Sequence, residues 1–138
     1  RIVLDPGDPE SMDGMMPFLP AFRSGRLAAE IHFTPFRSDD SVTIIAGLLS
    51  HQSPGERFLD HVERWNDKTY RPAPGLLRDI EPSIVSGLRA NARAVLPYDI
   101  PAYPLFILPG SDGPEYAWGS LTPDAILDAL SEAREVRP

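Results

Sequence analysis

The sequence predicts a mixed α/β fold, a sheet of parallel and antiparallel strands covered by helices. Three observations carry it. The chain opens with an apolar run, a turn leading into a helix-like stretch, and a second apolar alternation, which is a β-α-β order. It closes with two strand-like runs around a Gly-rich turn and then an amphipathic stretch, which is β-β-α. The residues between, about 38–95, read as helical, so the sheet is built from both ends of the chain with a helical insertion in its middle.

Residues 1–4, Arg-Ile-Val-Leu, form a short apolar run ended by the turn cluster Asp-Pro-Gly-Asp-Pro, and read as a strand. Asp8-Pro9-Glu10 opens a helix. An Asp at the N-cap accepts a hydrogen bond from a free backbone N–H, and proline fits the first helical position. Met12, Met15, Met16, Leu19 and Phe22 supply an apolar face, while Gly14, Pro17 and Pro20 predict a kink or an early end. Residues 26–36 alternate as a second strand, with Glu30 and His32 on one face and Ala29, Ile31 and Phe33 on the other.

Three helices follow. Residues 38–50 carry Asp39 and Asp40 near their start. Ser53-Pro54-Gly55-Glu56 matches a capping box, in which Ser and Glu each satisfy a free N–H. Phe58, His61, Val62 and Trp65 then share one helical face, and this stripe reads as core. Residues 70–79 are a Pro-rich connection. In the third helix Ile84, Leu88 and Ala92 recur at four-residue spacing behind Pro82. Residues 105–108, Leu-Phe-Ile-Leu, read as a buried strand. Residues 110–115 form a turn with hairpin character, and residues 116–119 are the returning strand. Thr122-Pro123 caps a final helix that buries Ala125, Ile126, Leu127 and Leu130.

Composition narrows the function classes. A length of 138 residues suits one hydrophobic core, and 42% hydrophobic against 24% charged residues is a folded rather than a disordered balance. A net charge of −7 argues against a nucleic-acid surface, which needs clustered positive charge. No run approaches the ~18 apolar residues of a membrane span. The chain has no cysteine, which excludes disulfides, Cys-zinc sites, Fe–S clusters and a thiol nucleophile of its own. It begins at Arg1 inside a strand, with neither an initiator Met nor a signal-peptide pattern, so it is expected to be a processed protein or an excised domain.

Several phrases, in order, carry a family resemblance. "LDPGDPES", residues 4–11, is similar to a strand ending in Asp-Pro and running into Cys-x-x-Cys. "IHFTPFRSDDSVTIIAGLLSHQSPGERFLDH" is similar to the second strand, proline and Ser-led helix of the same pattern. Asn91 precedes "AVLPYDIPAYPLFIL", in which residues 99–104 stand where a Gly-Val-x-Gly-Thr-Pro loop leads into a strand. "GSDGPEYAWGSLTPDAILDAL" resembles the closing hairpin and C-terminal helix. Across nearly its whole length the chain thus resembles the catalytic domains of the bacterial disulfide isomerases DsbC and DsbG. The resemblance implies a thioredoxin-like mixed sheet over residues 1–138, a cis bond before Pro104, and a place in the periplasm or cell envelope. Two positions depart from it. Asp8 and Ser11 replace the two cysteines, and Tyr103 replaces the Thr before the proline. The first departure removes thiol–disulfide exchange, because attack requires a thiolate. The resemblance does not extend to the family's N-terminal dimerisation domain, so its dimer does not carry over, and the oligomeric state stays open.

Two constellations are candidate sites. Asp8, Pro9, Glu10 and Ser11 read as an ordinary helix cap, and also as a redox turn whose thiolate is replaced by a redox-insensitive anion. Tyr103 and Pro104 read as a structural loop, or as a peptide-binding loop that works by strand addition. The carboxylates Asp5, Asp8, Glu10 and Asp13 allow a hydrolase-type acid–base pair or a hard-metal site, but no sugar-binding aromatic array or EF-hand spacing accompanies them. His32, His51 and His61 form no HExxH and read as structural. The expectation is a redox-dead thioredoxin-like module without cofactor or metal that binds a protein or peptide segment. A hydrolase using Asp5, Asp8 and Glu10 is the alternative.

Overall fold

The computed structural model of the chain describes residues 1–35 and 40–135. Strand β1 (Ile2–Leu4) is buried at all three residues, because it has a strand on each edge and helices near both faces. It pairs in parallel with β2 (Ile31–Phe33) and antiparallel with β3 (Leu105–Pro109). Strand β3 then pairs antiparallel with β4 (Pro114–Trp118), giving the order β2-β1-β3-β4. This is the expected thioredoxin-like mixed sheet.

The registers divide the sheet into two faces. Ile2, Leu4, Phe33, Phe106 and Ala117 point to one side and enter the main core. Helix α1 (Pro9–Met15), a 3-10 turn (Met16–Phe18) and α2 (Leu19–Arg23) cover that side, with α6 (Pro123–Glu135) beside them. Pro17 and Pro20 each sit in the first turn of the next segment, so the expected helix is broken twice. Helices α3 (Ser41–Leu49) and α4 (Pro54–Arg64) close the end of this core with Ile45, Phe58 and Val62. Phe18 meets Phe106 at 5.2 Å between ring centroids, and Phe33 meets Phe58 edge-on at 5.3 Å. Arg23 joins α2 to α4 through Asp60 at 3.1 Å and Glu63 at 2.7 Å.

The other face carries His32, Val3, Leu105 and Trp118 in one row across the strands. Helix α5 (Pro82–Val95) packs near β2 on this side, and Asn91 donates from Nδ2 to the Phe33 carbonyl at 3.4 Å.

Several expectations are corrected. The second strand spans only Ile31–Phe33, because β1 offers three residues to pair with; the Ile2 N–H to Glu30 carbonyl and Thr34 N–H to Leu4 carbonyl bonds close its ends. The capping box at α4 does not form. Ser53 occupies the N-cap without a side-chain bond; its own N–H donates to His51 Nδ1 at 3.1 Å, and Glu56 lies 3.8 Å from Arg23 instead. On α5 no residue is fully buried, and Ile84 is 38% exposed, so the four-residue spacing marks a half-covered helix. The returning strand begins at Pro114, two residues early, and the Pro-rich connection contains a 3-10 turn (Leu77–Asp79). The final cap forms as expected, with Thr122 Oγ1 accepting from the Ala125 N–H at 3.2 Å. Phe36, Ser38 and Asp39, read above at element ends, lie outside the described residues.

Candidate functional site

The turn after β1 is a closed hydrogen-bond unit. Asp8 is the N-cap of α1, with φ −98° and ψ 122°, the extended backbone an N-cap adopts. Its Oδ2 accepts from both the N–H and the hydroxyl of Ser11, each at 3.0 Å. Ser11 Oγ in turn accepts from the Asp5 N–H at 3.3 Å, and Asp5 Oδ1 accepts from the Gly7 N–H at 2.8 Å. Asp5 and Ser11 are fully buried, and Asp8 nearly so, whereas Pro9, Glu10 and Asp13 are exposed. The i, i+3 spacing of Asp8 and Ser11 therefore brings the two side chains into direct contact, as it would two cysteines.

A buried histidine braces this turn from beneath. His61 Nε2 lies 2.7 Å from the carbonyl oxygen of Pro6, and its Nδ1 lies 3.0 Å from the Tyr70 hydroxyl. A carbonyl only accepts, so Nε2 carries the proton and Nδ1 takes the Tyr70 O–H. Burial pushes the His61 imidazole below its ordinary pKa, with Arg57 adding to the effect and the Pro6 bond opposing it. Burial raises the Tyr70 phenol in the same way. The sequence placed His61 on the apolar face of α4; that it clamps a turn 55 residues earlier is a tertiary fact.

The second candidate site lies against the first. The Tyr103–Pro104 bond is cis. Pro104 is buried, and its ring packs on α1 at Gly14, where a Cβ would collide with it. The Pro104 carbonyl accepts from the Gly119 N–H at 3.1 Å. Tyr103 is 7% exposed and packs with Val3 and Leu105. The fold thus brings the Asp8–Ser11 helix and the Tyr103–Pro104 loop together, with the side chains of Tyr103 and Pro104 turned inward.

The remaining candidates do not converge. His51 is exposed and serves Ser53, while His32 Nε2 stands 3.2 Å from Glu30 Oε1. Among the described residues no three His, Asp or Glu side chains gather where they could hold a metal. The buried oxygens of Asp5 and Asp8 accept the turn's own N–H and O–H groups, and neither residue lines the groove or the cleft that the fold forms elsewhere.

The larger concavity lies on the second face of the sheet and was not read from the sequence. It is a groove of about 750 Å³. Val3, Leu105 and Ile107 form its floor, and Val95, Tyr98 and Ile100 form the wall on the α5 side. Tyr116 and Trp118 of β4 make the opposite rim, 57% and 49% exposed, and Tyr98 is 71% exposed. The legible signal was Tyr116 and Trp118 at i, i+2, which places two large rings on one face of a strand. A smaller apolar cleft of about 160 Å³ separates α3 from α5 at Ile45, Val85 and Leu88. The larger groove, mostly apolar with aromatic rims and with Arg1, His32 and Asp99 in its lining, is suited to holding a chain or ligand. Among the described residues no helix is long and apolar enough to cross a membrane. No protein-family model matches the chain, and a search of curated proteins gives no match either.

Proposed function

We propose that this chain is a redox-inert thioredoxin-like module that binds a polypeptide segment. It retains the scaffold of a disulfide isomerase catalytic domain of the DsbC and DsbG kind, without the thiol chemistry. The reading rests on one observation above others: Asp8 and Ser11 bond to each other at 3.0 Å at the start of α1, beside the cis-Pro104 loop. In the family that the sequence resembles, that place holds Cys-x-x-Cys. A carboxylate and a hydroxyl there leave a capped, buried turn with nothing to oxidise. The groove on the far face of the sheet supplies the binding surface. A periplasmic or cell-envelope setting follows from the same resemblance, and the partner is a protein segment presented there.

The test is an array of overlapping peptides from unfolded cell-envelope proteins, probed with the labelled chain, with hits remeasured by calorimetry. Saturable binding that survives Asp8→Asn supports the module. Turnover of ester, glycoside or phosphate substrates that is lost in Asp8→Asn or Glu10→Gln would replace this reading with a hydrolase.

A further inference from the structure

We propose that the outer edge of β4 is a docking strand for an extended polypeptide segment bearing lysine or arginine, whose alternate side chains lie along the Tyr116–Trp118 rim of the adjoining groove. This rests on the binding-module reading and adds where the partner sits and what chemistry it carries.

The edge is set by hydrogen-bond phase. Ile107 exchanges backbone bonds with Arg1 at 2.9 and 3.0 Å, so its polar groups, and those of Leu105 two residues earlier, face β1. Phe106 and Leu108 therefore face β4, in step with the Gly119-to-Pro104 and Gly110-to-Gly113 bonds that flank the ladder. Tyr116 and Trp118 stand opposite Ile107 and Leu105, so their N–H and C=O groups point away from β3. Strand β4 is the last strand of the sheet, and no hydrogen bond to these groups occurs among the described residues. An open edge of this kind is a template for one more strand. An added strand would set alternate side chains beside the rings of Tyr116 and Trp118, along the rim of the groove.

Charge selects the occupant. From Leu96 to Ala133 the sequence has six carboxylates, Asp99, Asp112, Glu115, Asp124, Asp128 and Glu132, and no Lys, Arg or His. That stretch accounts for −6 of the net −7: Asp99 lines the groove, Asp112 and Glu115 belong to the β3–β4 hairpin, and the other three lie on α6, over the opposite face of the sheet. Arg26 reaches Asp124 at 3.7 Å; the other five have no ion pair among the described residues. Asp99 lines the groove beside Tyr98, and exposed aromatic rings with a carboxylate favour a cation. At the far end of the groove Glu30 already meets Arg1 at 3.0 Å and His32 at 3.2 Å. A second copy would bring a like −7 charge to the same edge, so a basic partner is favoured over self-association.

The experiment titrates the intact chain with a capped octapeptide of alternating lysine and valine, and with its glutamate–valine counterpart, following backbone amides by NMR and hydrogen exchange. The lysine peptide is expected to saturate, to slow exchange at the Tyr116 and Trp118 N–H groups, and to weaken as salt rises. Tyr116→Pro removes one outward donor without touching the β3 ladder and should weaken binding about tenfold; unchanged protection at Phe106 and Leu108 shows that it folds. Asp99→Lys with Glu115→Lys, which leaves the edge intact, should reverse the preference between the two peptides. Equal binding of both peptides, or no binding of either, overturns the proposal. So does binding that leaves the two amides unprotected, or binding that neither variant changes. Protection that grows with protein concentration alone assigns the edge to a second copy and overturns it as well. If array peptides bind while these amides stay exposed, the β4 proposal falls and the binding module stands; hydrolytic turnover removes the module itself.

Discussion

The ring of Pro104 occupies the space that a side chain on Gly14 would fill. This contact joins α1 to the loop ahead of β3, so a residue that weakens the helix in isolation is what lets the two parts of the site meet. Gly14→Ala should destabilise the fold by about 1–3 kcal/mol through overpacking, despite alanine's better helix propensity. Gly87→Ala in α5, where a Cβ has open space, should instead stabilise by about 0.5–1 kcal/mol. Urea midpoints of the two variants moving in the same direction would contradict this reading.

Asp8→Ala should cost about 0.5–2 kcal/mol as a lost N-cap, and the buried Ser11 hydroxyl would lose its acceptor, which pushes the loss to the upper end. Asp8→Asn keeps an acceptor and should lose less. Denaturant titration of both variants checks the order; an Ala variant as stable as the parent would remove the cap from this account.

Asp8→Cys combined with Ser11→Cys should restore a disulfide. The two side chains already touch at 3.0 Å, and a disulfide needs Cα atoms about 4.4–6.8 Å apart. Mass spectrometry under non-reducing conditions should show the loss of two hydrogens in the monomer. Thiols that stay free under mild oxidant, or that pair only between molecules, would mean that "DPES" is a helix cap with no geometric kinship to a redox turn.

The buried His61 should make stability depend on pH. Its folded pKa is lowered, chiefly by burial, whereas the unfolded chain titrates near ~6.5. Above that value both states are neutral and the stabilisation is complete. As pH falls below it, the unfolded state takes up a proton that the folded state refuses. Stability then drops, at most by about 1.4 kcal/mol per pH unit, until the folded pKa is reached. Between pH 7.5 and 5.5 the parent should lose more stability than His61→Gln, measured as urea midpoints. Parallel losses would place the pH dependence elsewhere.

Sequence reading reached the sheet, the broken first helix and the cap at Asp8. The helix features rest on neighbours within four residues: Pro17 and Pro20, Asp8 and Ser11, Thr122 and Ala125. It lost accuracy where a distant group competes. Ser53 and Glu56 have capping-box spacing, but His51 takes the N–H and Arg23 draws the carboxylate. Ile84, Leu88 and Ala92 have core spacing, yet the cover over α5 is incomplete, and spacing does not say what a face meets. The groove draws on residues from four strands, α5 and the loop after it, so no single stretch displays it. Of the six carboxylates between Leu96 and Ala133, Asp99 alone lines it, together with Arg1 and His32. What the stretch alone does not reveal is that Asp99 comes to lie in the same groove as Tyr116 and Trp118.

The pairing of Ile2 with Phe106 sets a timetable for synthesis. Strand β1 leaves the ribosome before its antiparallel neighbour, which is made 104 residues later. At about 5–20 residues per second, that is a wait of roughly 5–20 s. Through that interval an Ile-Val-Leu strand has one bare edge, with β2 alone available to pair with it. A ribosome-bound or translocating chain of this design therefore depends on some shield over β1 until β3 emerges.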